Sequence, residues 1–491
     1  MMICLKDYSD LKKCLEDEEN KDKADYEEIK KALEALDSDS EKQNIIIYPE
    51  KSTDKDFKII RKFNDVYYTQ QYVGLIELQI KNDSDIEKKD IFIKSRFDKK
   101  DDYQFSQYIL HKAFGLSVFQ NMEPSVGQGR ILDQILAFIF TIQIARAYRK
   151  GIYRRYRTYE KNDSKVKGRI DVARQIRLNP IFNGKIAYSY REYTIDNDMN
   201  RMVLTAYTML QKKQPDVMRE LEKKNEEVKE YIDQLKTCMH PASRQEVRKL
   251  VQKEKKKITH AIYSDWEDVR KTACLILRFM GITPSDDENA KINGVLINMN
   301  WVWEQYLVSI LREKSLLSEY ILEEQKTFRT FFEQDTGKSR RELRPDLVIY
   351  KKGDNQQQPL LIIDAKYKNT WSEIASGEEK SWENAREDCF QILSYMYLVK
   401  CNRAGIFCPQ ARETIEFLKK YNIFENAQKN DGSKDTTQAT FYLLPLQIGN
   451  LKLDESKDFK GEMEEIEEKL RKSVSNYLKA AEGKRKMSEL Q

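Results

Sequence analysis

Arg344-Pro345-Asp346-Leu347-Val348-Ile349-Tyr350, a polar turn, and then Leu360-Leu361-Ile362-Ile363-Asp364-Ala365-Lys366-Tyr367-Lys368 form the stretch that decides how this chain folds. Each half is a short aliphatic run of strand length next to an acidic residue, and Lys351 to Pro359 between them is rich in Gly, Asp, Asn and Gln, so the pair reads as a hairpin. A register that sets Tyr350 opposite Leu360 also sets Asp346 opposite Asp364, and two carboxylates meet at one end of the sheet. Side chains alternate along a strand, so Asp364 and Lys366 share a side and the ammonium reaches the space between the acids. Hard oxygen ligands of this kind hold a divalent cation, and the lysine stands beside a phosphate or an attacking water. That is the chemistry of phosphodiester hydrolysis.

The pattern Asp-x-Lys alone carries little, because 34% of the residues are charged. Asp56-Phe57-Lys58 and Asp458-Phe459-Lys460 fit it equally well, yet neither follows an aliphatic strand or faces an Arg-Pro-Asp partner. The bland reading of Asp346, Asp364 and Lys366 is a charged sheet end with a surface ion pair. Working outward, Asn298–Lys314 carries Trp303, Tyr306, Leu307, Ile310 and Leu311 on a helical stripe. Tyr320–Phe332 is strand-like, Trp382–Lys400 repeats apolar residues at helical spacing, and Ala404–Cys408 and Thr440–Leu446 read as further strands. The order is αβββαβ.

This order is that of the restriction-endonuclease-like fold, and Arg-Pro-Asp with Asp-Ala-Lys resembles the PD-(D/E)xK motif of that superfamily. The resemblance implies that the carbonyl of Ala365 also binds metal, and that Glu304, beside the first helix's apolar stripe, is an additional acid; its alternative is an ordinary boundary carboxylate. Gln391 and Tyr395 lie four apart on one helical face with Asp388 a turn earlier, which resembles the Gln-x-x-x-Tyr motif of RecB-like nucleases.

At 491 residues the chain has room for roughly two to four domains of ~150 residues. With 86 Lys and Arg against 81 Asp and Glu the net charge is only +5, so nucleic-acid contact has to come from local patches. Seven cysteines without a Cys-x-x-Cys pair and three histidines argue against a zinc site and suit free thiols in a reducing cytoplasm. No secretory signal opens the chain, and the longest apolar run, Ile135–Ala145, is about half the ~20 residues a membrane span needs. It reads as a buried helix, and the protein as cytoplasmic.

The fold class is mixed α+β in three parts. Residues 1–120 form a mostly β module that opens on an acidic helix-like stretch and carries strands at Asn44–Tyr48, Val66–Tyr68, Tyr72–Ile80 and Ile91–Lys94; 121–290 form a helical middle, with long helical patterns from Pro124 to Gln211 interrupted by polar stretches at 168–172 and 196–201; 291–491 form the PD-(D/E)xK domain. Within the middle, Val217–Lys257 is almost wholly charged, is broken at His240-Pro241, and reads as two antiparallel helices forming a solvated arm. Arg149, Lys150, Arg154 and Arg155, interleaved with tyrosines, either hold phosphates or form a helix end with its cations near the C-terminal dipole. Gly151, which breaks the helix inside the cluster, favours the second reading.

Tyr72-Val73-Gly74-Leu75-Ile76, Lys167-Gly168-Arg169-Ile170-Asp171-Val172, Tyr190-Arg191-Glu192-Tyr193-Thr194 with Asp198-Met199-Asn200-Arg201, and the Asp-Ala-Lys hairpin follow one another in the order seen in McrC proteins. McrC is the nuclease subunit of McrBC modification-dependent restriction systems, which defend against phage by cutting DNA that contains methylated cytosine. The resemblance implies Mg²⁺ (or Mn²⁺) at Asp346, Asp364, Ala365 and Glu304, with Lys366, Gln391 and Tyr395 completing the catalytic set. It also implies a partner, an McrB-like AAA+ GTPase hexamer docked by the N-terminal module, with GTP bound by that partner and double-stranded methylated DNA as substrate. The chain has no Gly-x-x-x-x-Gly-Lys-[Ser/Thr] loop, which agrees with nucleotide chemistry in another chain. Two departures stand out. The family's Ile-x-Pro-Lys stretch is present only as Ile91-Phe92-Ile93-Lys94, and the arm lengthens the chain. An autonomous RecB-like repair nuclease or exonuclease, or a non-cleaving activator of the GTPase, are the alternatives.

Overall fold

A computed structural model describes residues 3–17, 20, 25–36, 45–49, 58–81, 86–99, 103–116, 128–181, 183–254, 257–279, 294–312, 314–334, 338–353, 358–411, 418–423, 439–448 and 459–489. The middle of the 351–359 turn, residues 354–357, and residues 124–127 of the expected first long helix lie outside the described residues. The chain forms two compact units, one of Met1–Lys42, Ile47–Ile131 and Leu296–Gln491, the other of Gln43–Ile46 and Leu132–Val295. The sequence separates an N-terminal module from the C-terminal domain, but both belong to the first unit. A buried carboxylate shows why. Glu467, on the terminal helix Phe459–Glu489, accepts from Tyr108 at 2.6 Å and Lys112 at 2.9 Å on the N-terminal helix Gln104–Phe114, and from Tyr306 at 2.8 Å on the helix Met299–Leu311. Its side chain is 1% exposed, so these donors offset a desolvation cost that an unpaired carboxylate could not bear.

The C-terminal sheet runs Tyr320–Glu324, Leu347–Lys351, Pro359–Ala365, Arg403–Gln410, Thr440–Gln447, Lys419–Asn422. Its first three strands are antiparallel, and Arg403–Gln410 joins Pro359–Ala365 in parallel through a helical crossover that ends in Arg386–Val399. The hairpin pairs Leu347 with Ile363, Val348 with Ile362 and Ile349 with Leu361, as the aliphatic pattern requires; a bulge after Ile349 then sets Tyr350 opposite Pro359 and not Leu360. Both strands are buried almost throughout, which explains aliphatic runs in place of alternation. Val348, Tyr350 and Ile362 pack against Ile392, Tyr395 and Met396 of the helix Arg386–Val399. The strand-like stretch Tyr320–Phe332 is two strands, since Phe328–Phe332 leaves the sheet to pair with Ser339–Leu343.

The N-terminal segment builds a second sheet, in the order Ile3–Lys6, Ile86–Lys94, Tyr72–Lys81, Gly294–Asn298, Ile45–Tyr48. The chain opens with a short strand, Ile3 to Lys6 paired in parallel with Ile91 to Lys94, a long-range contact that no local pattern announces, and the helices Leu11–Glu16 and Tyr26–Leu36 follow it.

In the second unit, Ile131–Arg149 is the one helix among the described residues with the length and apolarity to cross a membrane, and most of it is buried in the protein. The helical middle expected from sequence is interrupted by an antiparallel sheet, with Arg155–Asp163 and Arg169–Ile170 flanking Ile186–Thr194. Most of Arg155–Asp163 is exposed, so it lacks the apolar alternation that identifies a strand. Gly168, at φ +78°, lets this sheet close, because a Cβ there would lie 2.6 Å from the Ser189 carbonyl oxygen. The charged segment is three helices, Pro215–Lys224, Glu226–Cys238 and Arg244–Lys253, and not a two-helix arm. Each buries an apolar stripe, Val217/Met218/Leu221, Val228/Tyr231/Ile232/Leu235 and Val247/Leu250/Val251, so charge dominates only their outer faces.

Candidate active site

One step beyond the last hairpin pair, Asp346 and Asp364 face each other across the two strands, as the register requires. Their surroundings differ. Asp364 is 2% exposed, a buried acid and not one at an open sheet end, whereas Asp346 is half-buried. Strand alternation puts Lys366 on the Asp364 side, and its Nζ lies 2.7 Å from Asp364 Oδ2. The ammonium is also 3.4 Å from Asp388 Oδ1 and donates to Gln391 Oε1 at 2.8 Å. Four residues along the same helix face, Gln391 Nε2 donates to the Tyr395 hydroxyl at 2.6 Å, and Tyr395 in turn donates to the Arg344 carbonyl at 3.1 Å. The i, i+4 spacing therefore delivers one relay, from the residue before Pro345 through Tyr395 and Gln391 to Lys366.

On the other side, Asp346 Oδ2 accepts the Ala365 backbone N–H at 2.7 Å, and Oδ1 accepts from Gln325 Nε2 at 2.8 Å. The same Gln325 amide lies 3.3 Å from Glu304 Oε2, so Glu304 of the first helix reaches the site through a bridging side chain. Gln325 sits at φ +47° just after the strand Tyr320–Glu324, and its own N–H donates to the Asp346 carbonyl at 3.1 Å.

The electrostatics follow from this crowding. Burial, then the charges of Asp364 and Glu304, push the Asp346 carboxyl well above the usual carboxylate range. Burial works against the Lys366 ammonium, but Asp364 and Asp388 outweigh it and raise its pKa above the ordinary lysine value. Burial would also raise Asp388; Lys366 and Lys368 overcome it and hold that carboxyl below its usual value. Lys368 lies 2.9 Å from Asp388 Oδ1, and the Trp371 indole donates to Oδ2 at 2.8 Å. Asp388 and Gln325 are neighbours of the candidate site that the motifs do not assign. Asp388 shares a helix face with Gln391, a signal present in the sequence, whereas Gln325 has no signal short of the folded register.

Two carboxylates and a nearby third, with one carboxyl strained toward protonation by the others, form a set of hard oxygen donors suited to a small divalent cation. Among the described residues no three His, Cys, Asp or Glu side chains gather into a closed metal-holding set. A cation at Asp346 and Asp364 therefore has to complete its shell from a backbone carbonyl, water or a substrate phosphate, an open arrangement that suits catalysis better than structural metal binding.

The basic cluster lies in the second unit and consists largely of ion pairs: Arg149 to Glu227 at 2.8 Å, Lys150 to Asp265 at 2.6 Å and Arg155 to Glu254 at 2.6 Å. Arg154 is exposed.

A family model described as McrBC 5-methylcytosine restriction system component matches residues 68–408, more than half of the chain. No curated protein matches it. Among solved structures, the chain is similar to a half-complex from a tetradecameric assembly of Thermococcus gammatolerans McrB AAA+ hexamers with bound McrC, at 14% identity and TM-score 0.44 over 97% of this chain and 100% of that one. A cryo-EM structure of the Thermococcus gammatolerans McrBC complex matches at 14% identity and TM-score 0.28, over 63% of this chain and 87% of that one.

Proposed function

Because the chain belongs to the McrBC 5-methylcytosine restriction system component family, we propose that it is the McrC-type nuclease subunit of such a system, hydrolysing DNA phosphodiester bonds with Mg²⁺ or Mn²⁺. The observation that carries this reading is the convergence of Asp346, Asp364 and Lys366, with the Lys366 ammonium 2.7 Å from Asp364 and tied to the Gln391–Tyr395 relay. The αβββαβ order around the hairpin supports a PD-(D/E)xK assignment.

Asp346, Asp364 and the Ala365 carbonyl would hold the cation, with Glu304 brought in through Gln325. When bound, it supplies Lewis acidity toward the scissile phosphate and a lowered pKa for water at the site. The protein's own residues do the rest. Lys366, kept protonated by Asp364 and Asp388, donates to a phosphate oxygen as charge builds in the transition state. Gln391 fixes the direction of that donor, and Tyr395 anchors Gln391 to the backbone that carries Asp346. As implied by the family, the cytoplasmic partner is an McrB-like AAA+ GTPase whose hydrolysis this chain stimulates, and the substrate is methylated double-stranded DNA.

Plasmid cleavage with Mg²⁺ tests this reading, comparing methylated and unmethylated DNA, with and without GTP and the partner GTPase, with Asp364→Ala as control. Cutting that requires partner, GTP and methylation, and that Asp364→Ala abolishes, is the expected outcome. Cutting by the chain alone irrespective of methylation would move it to the autonomous nucleases; wild-type GTPase stimulation without any cutting would leave an activator only.

A further inference from the structure

Beyond the strand Pro359–Ala365 the chain runs on through Lys366, Tyr367 and Lys368 to a helix that begins at Asn369, and the side chains from Lys366 to Asn369 alternate between two sets of partners. Lys366 and Lys368 both turn to Asp388, at 3.4 and 2.9 Å. Tyr367 and Asn369 turn the other way, into the N-terminal segment of the same unit. The Tyr367 ring is fully buried and its hydroxyl lies 2.8 Å from Ser95 Oγ; Asn369 Nδ2 donates to the Tyr8 carbonyl at 2.9 Å. Between them stands Arg96. Its guanidinium lies 4.3 Å from the centre of the Tyr367 ring and donates to the Tyr367 carbonyl oxygen, one residue from Lys366. Asp7, fully buried, accepts the Arg96 backbone N–H at 2.8 Å and pairs with the guanidinium at 3.5 Å.

We propose that Arg96, seated by Asp7, is a positioning residue for Lys366, so that the N-terminal segment clamps the catalytic strand from the face opposite the site. This rests on the nuclease reading for its consequence but not for its geometry. A guanidinium that puts one N–H on the Tyr367 carbonyl and another on Asp7 while lying over the Tyr367 ring leaves little freedom of rotation or slip, and a lysine has neither the fork nor the plane to replace it. With the strand pinned at Tyr367, Lys366 keeps its ammonium between Asp364 and Gln391. Without the clamp, the same side chains remain but their geometry loosens, and misplacement by about 1 Å costs about 100-fold in rate. The arrangement also means that whatever orders the N-terminal segment bears directly on the competence of the site.

The test compares full-length Arg96→Ala and Arg96→Lys with Lys112→Met, which breaks a different contact made by the N-terminal part of the unit, the one to Glu467 of the terminal helix at 2.9 Å, far along the sequence from the catalytic strand. Amide exchange over residues 360–369 and cleavage kinetics are measured for each. Expected for Arg96→Ala are exchange faster by about tenfold in that peptide and kcat down by about 100-fold with KM within about twofold, with no rescue by Arg96→Lys. Lys112→Met should lower thermal stability and leave both readouts unchanged. Asn369→Ala, which removes one grip and keeps the buried ion pair, serves if Arg96→Ala does not fold, and should raise exchange in the same peptide. Unchanged protection, or equal effects from Arg96→Ala and Lys112→Met, would overturn the clamp. Wild-type protein that cuts nothing would count against the nuclease reading, and the exchange comparison would still decide this one.

Discussion

Neutralising the two facing aspartates should abolish cutting in both cases yet change stability in opposite directions. In the metal-free protein Asp346 is pressed by Asp364 and Glu304, and its carboxyl is raised by burial and by those charges. A group whose folded pKa exceeds its unfolded value near ~3.9 binds more protons when folded, so it lowers stability as pH rises through that interval. Asp346→Asn removes the conflict, and the amide oxygen can still accept the Ala365 N–H while the Gln325 amide turns over to meet the new donor. The expected gain at pH 7 is about 0.5–2 kcal/mol, the range typical of relieving a destabilised site, and it vanishes as pH falls toward about 4. Asp364→Asn does the reverse. It takes away the carboxylate 2.7 Å from the Lys366 ammonium, which is 15% exposed. Breaking a buried pair costs ~3–5 kcal/mol, but Asp388 and Gln391 still hold the ammonium, so about 1–3 kcal/mol is expected. Thermal unfolding without metal, at pH 4.5 and 7, reads both. Saturating Mg²⁺ at about 100 times its Kd should add about 2.7 kcal/mol to the wild type and little to either variant. Stability changes of the same sign, or a Mg²⁺ shift that survives both substitutions, would refute the reasoning.

Tyr395→Phe loses the hydroxyl that accepts from Gln391 and donates to Arg344; stability should fall by about 1 kcal/mol, and cleavage by more than the stability loss explains, read by kcat against Tm. Asp388→Asn should weaken apparent Mg²⁺ affinity by up to about tenfold, or ~1.4 kcal/mol, measured by calorimetric titration, because Lys366 then has no second carboxylate to move to. Gly168→Ala forces a Cβ to 2.6 Å from the Ser189 carbonyl at positive φ; a loss of ~1–3 kcal/mol is expected, visible as faster amide exchange across Arg155–Asp163 and Ile186–Thr194. Glu467→Gln leaves two tyrosine hydroxyls and the Lys112 ammonium competing for a neutral amide and should cost ~1–3 kcal/mol, with wild-type kcat once folded.

The hairpin was legible because its residues are doubly constrained: an aliphatic run of strand length fixes the face, and acids at the matching ends fix the register. The bulge at Tyr350 escaped that reading, yet it falls on the turn side of the paired residues and leaves Asp346 and Asp364 opposed. Gln391 and Tyr395 were legible because helical spacing sets them on one face and they follow the Asp-Ala-Lys strand as in the Gln-x-x-x-Tyr motif; in the fold they lie 2.6 Å apart. Gln325 was not, because a glutamine in a connecting loop acquires meaning only when pairing of Tyr320–Glu324 with Leu347–Lys351 brings it beside Asp346. Solvent hid the sheet of the second unit. Strands exposed along most of their length carry no apolar period, and Tyr and Arg fit a helix face as easily as a strand. The three charged helices show the converse, since counting charges over Val217–Lys257 obscured stripes of only three or four apolar residues per helix.

On the proposed metal-dependent reading, Lys366 would have two jobs that conflict. Without metal, its ammonium is the only positive charge among the described residues placed to offset Asp364, at 2.7 Å, so it acts as the resident counter-ion of the buried acid. Were Asp346 and Asp364 to hold the proposed cation, that charge would be surplus there and would serve at the phosphate instead. Asp388 resolves the conflict. It lies 3.4 Å from the same ammonium, is held below its usual carboxylate range by Lys366 and Lys368, and stays ionised on the far side of Lys366. The ammonium can therefore turn from Asp364 without becoming an unpaired buried charge, which would cost several kcal/mol. Gln391, bonded to Lys366 and to Tyr395 at once, tethers the ammonium from a third side. A bare Asp-x-Lys pair would hold its lysine against the acid and resist metal, so on the proposed reading the residues around the motif, more than the motif itself, would let the site exchange one cation for another.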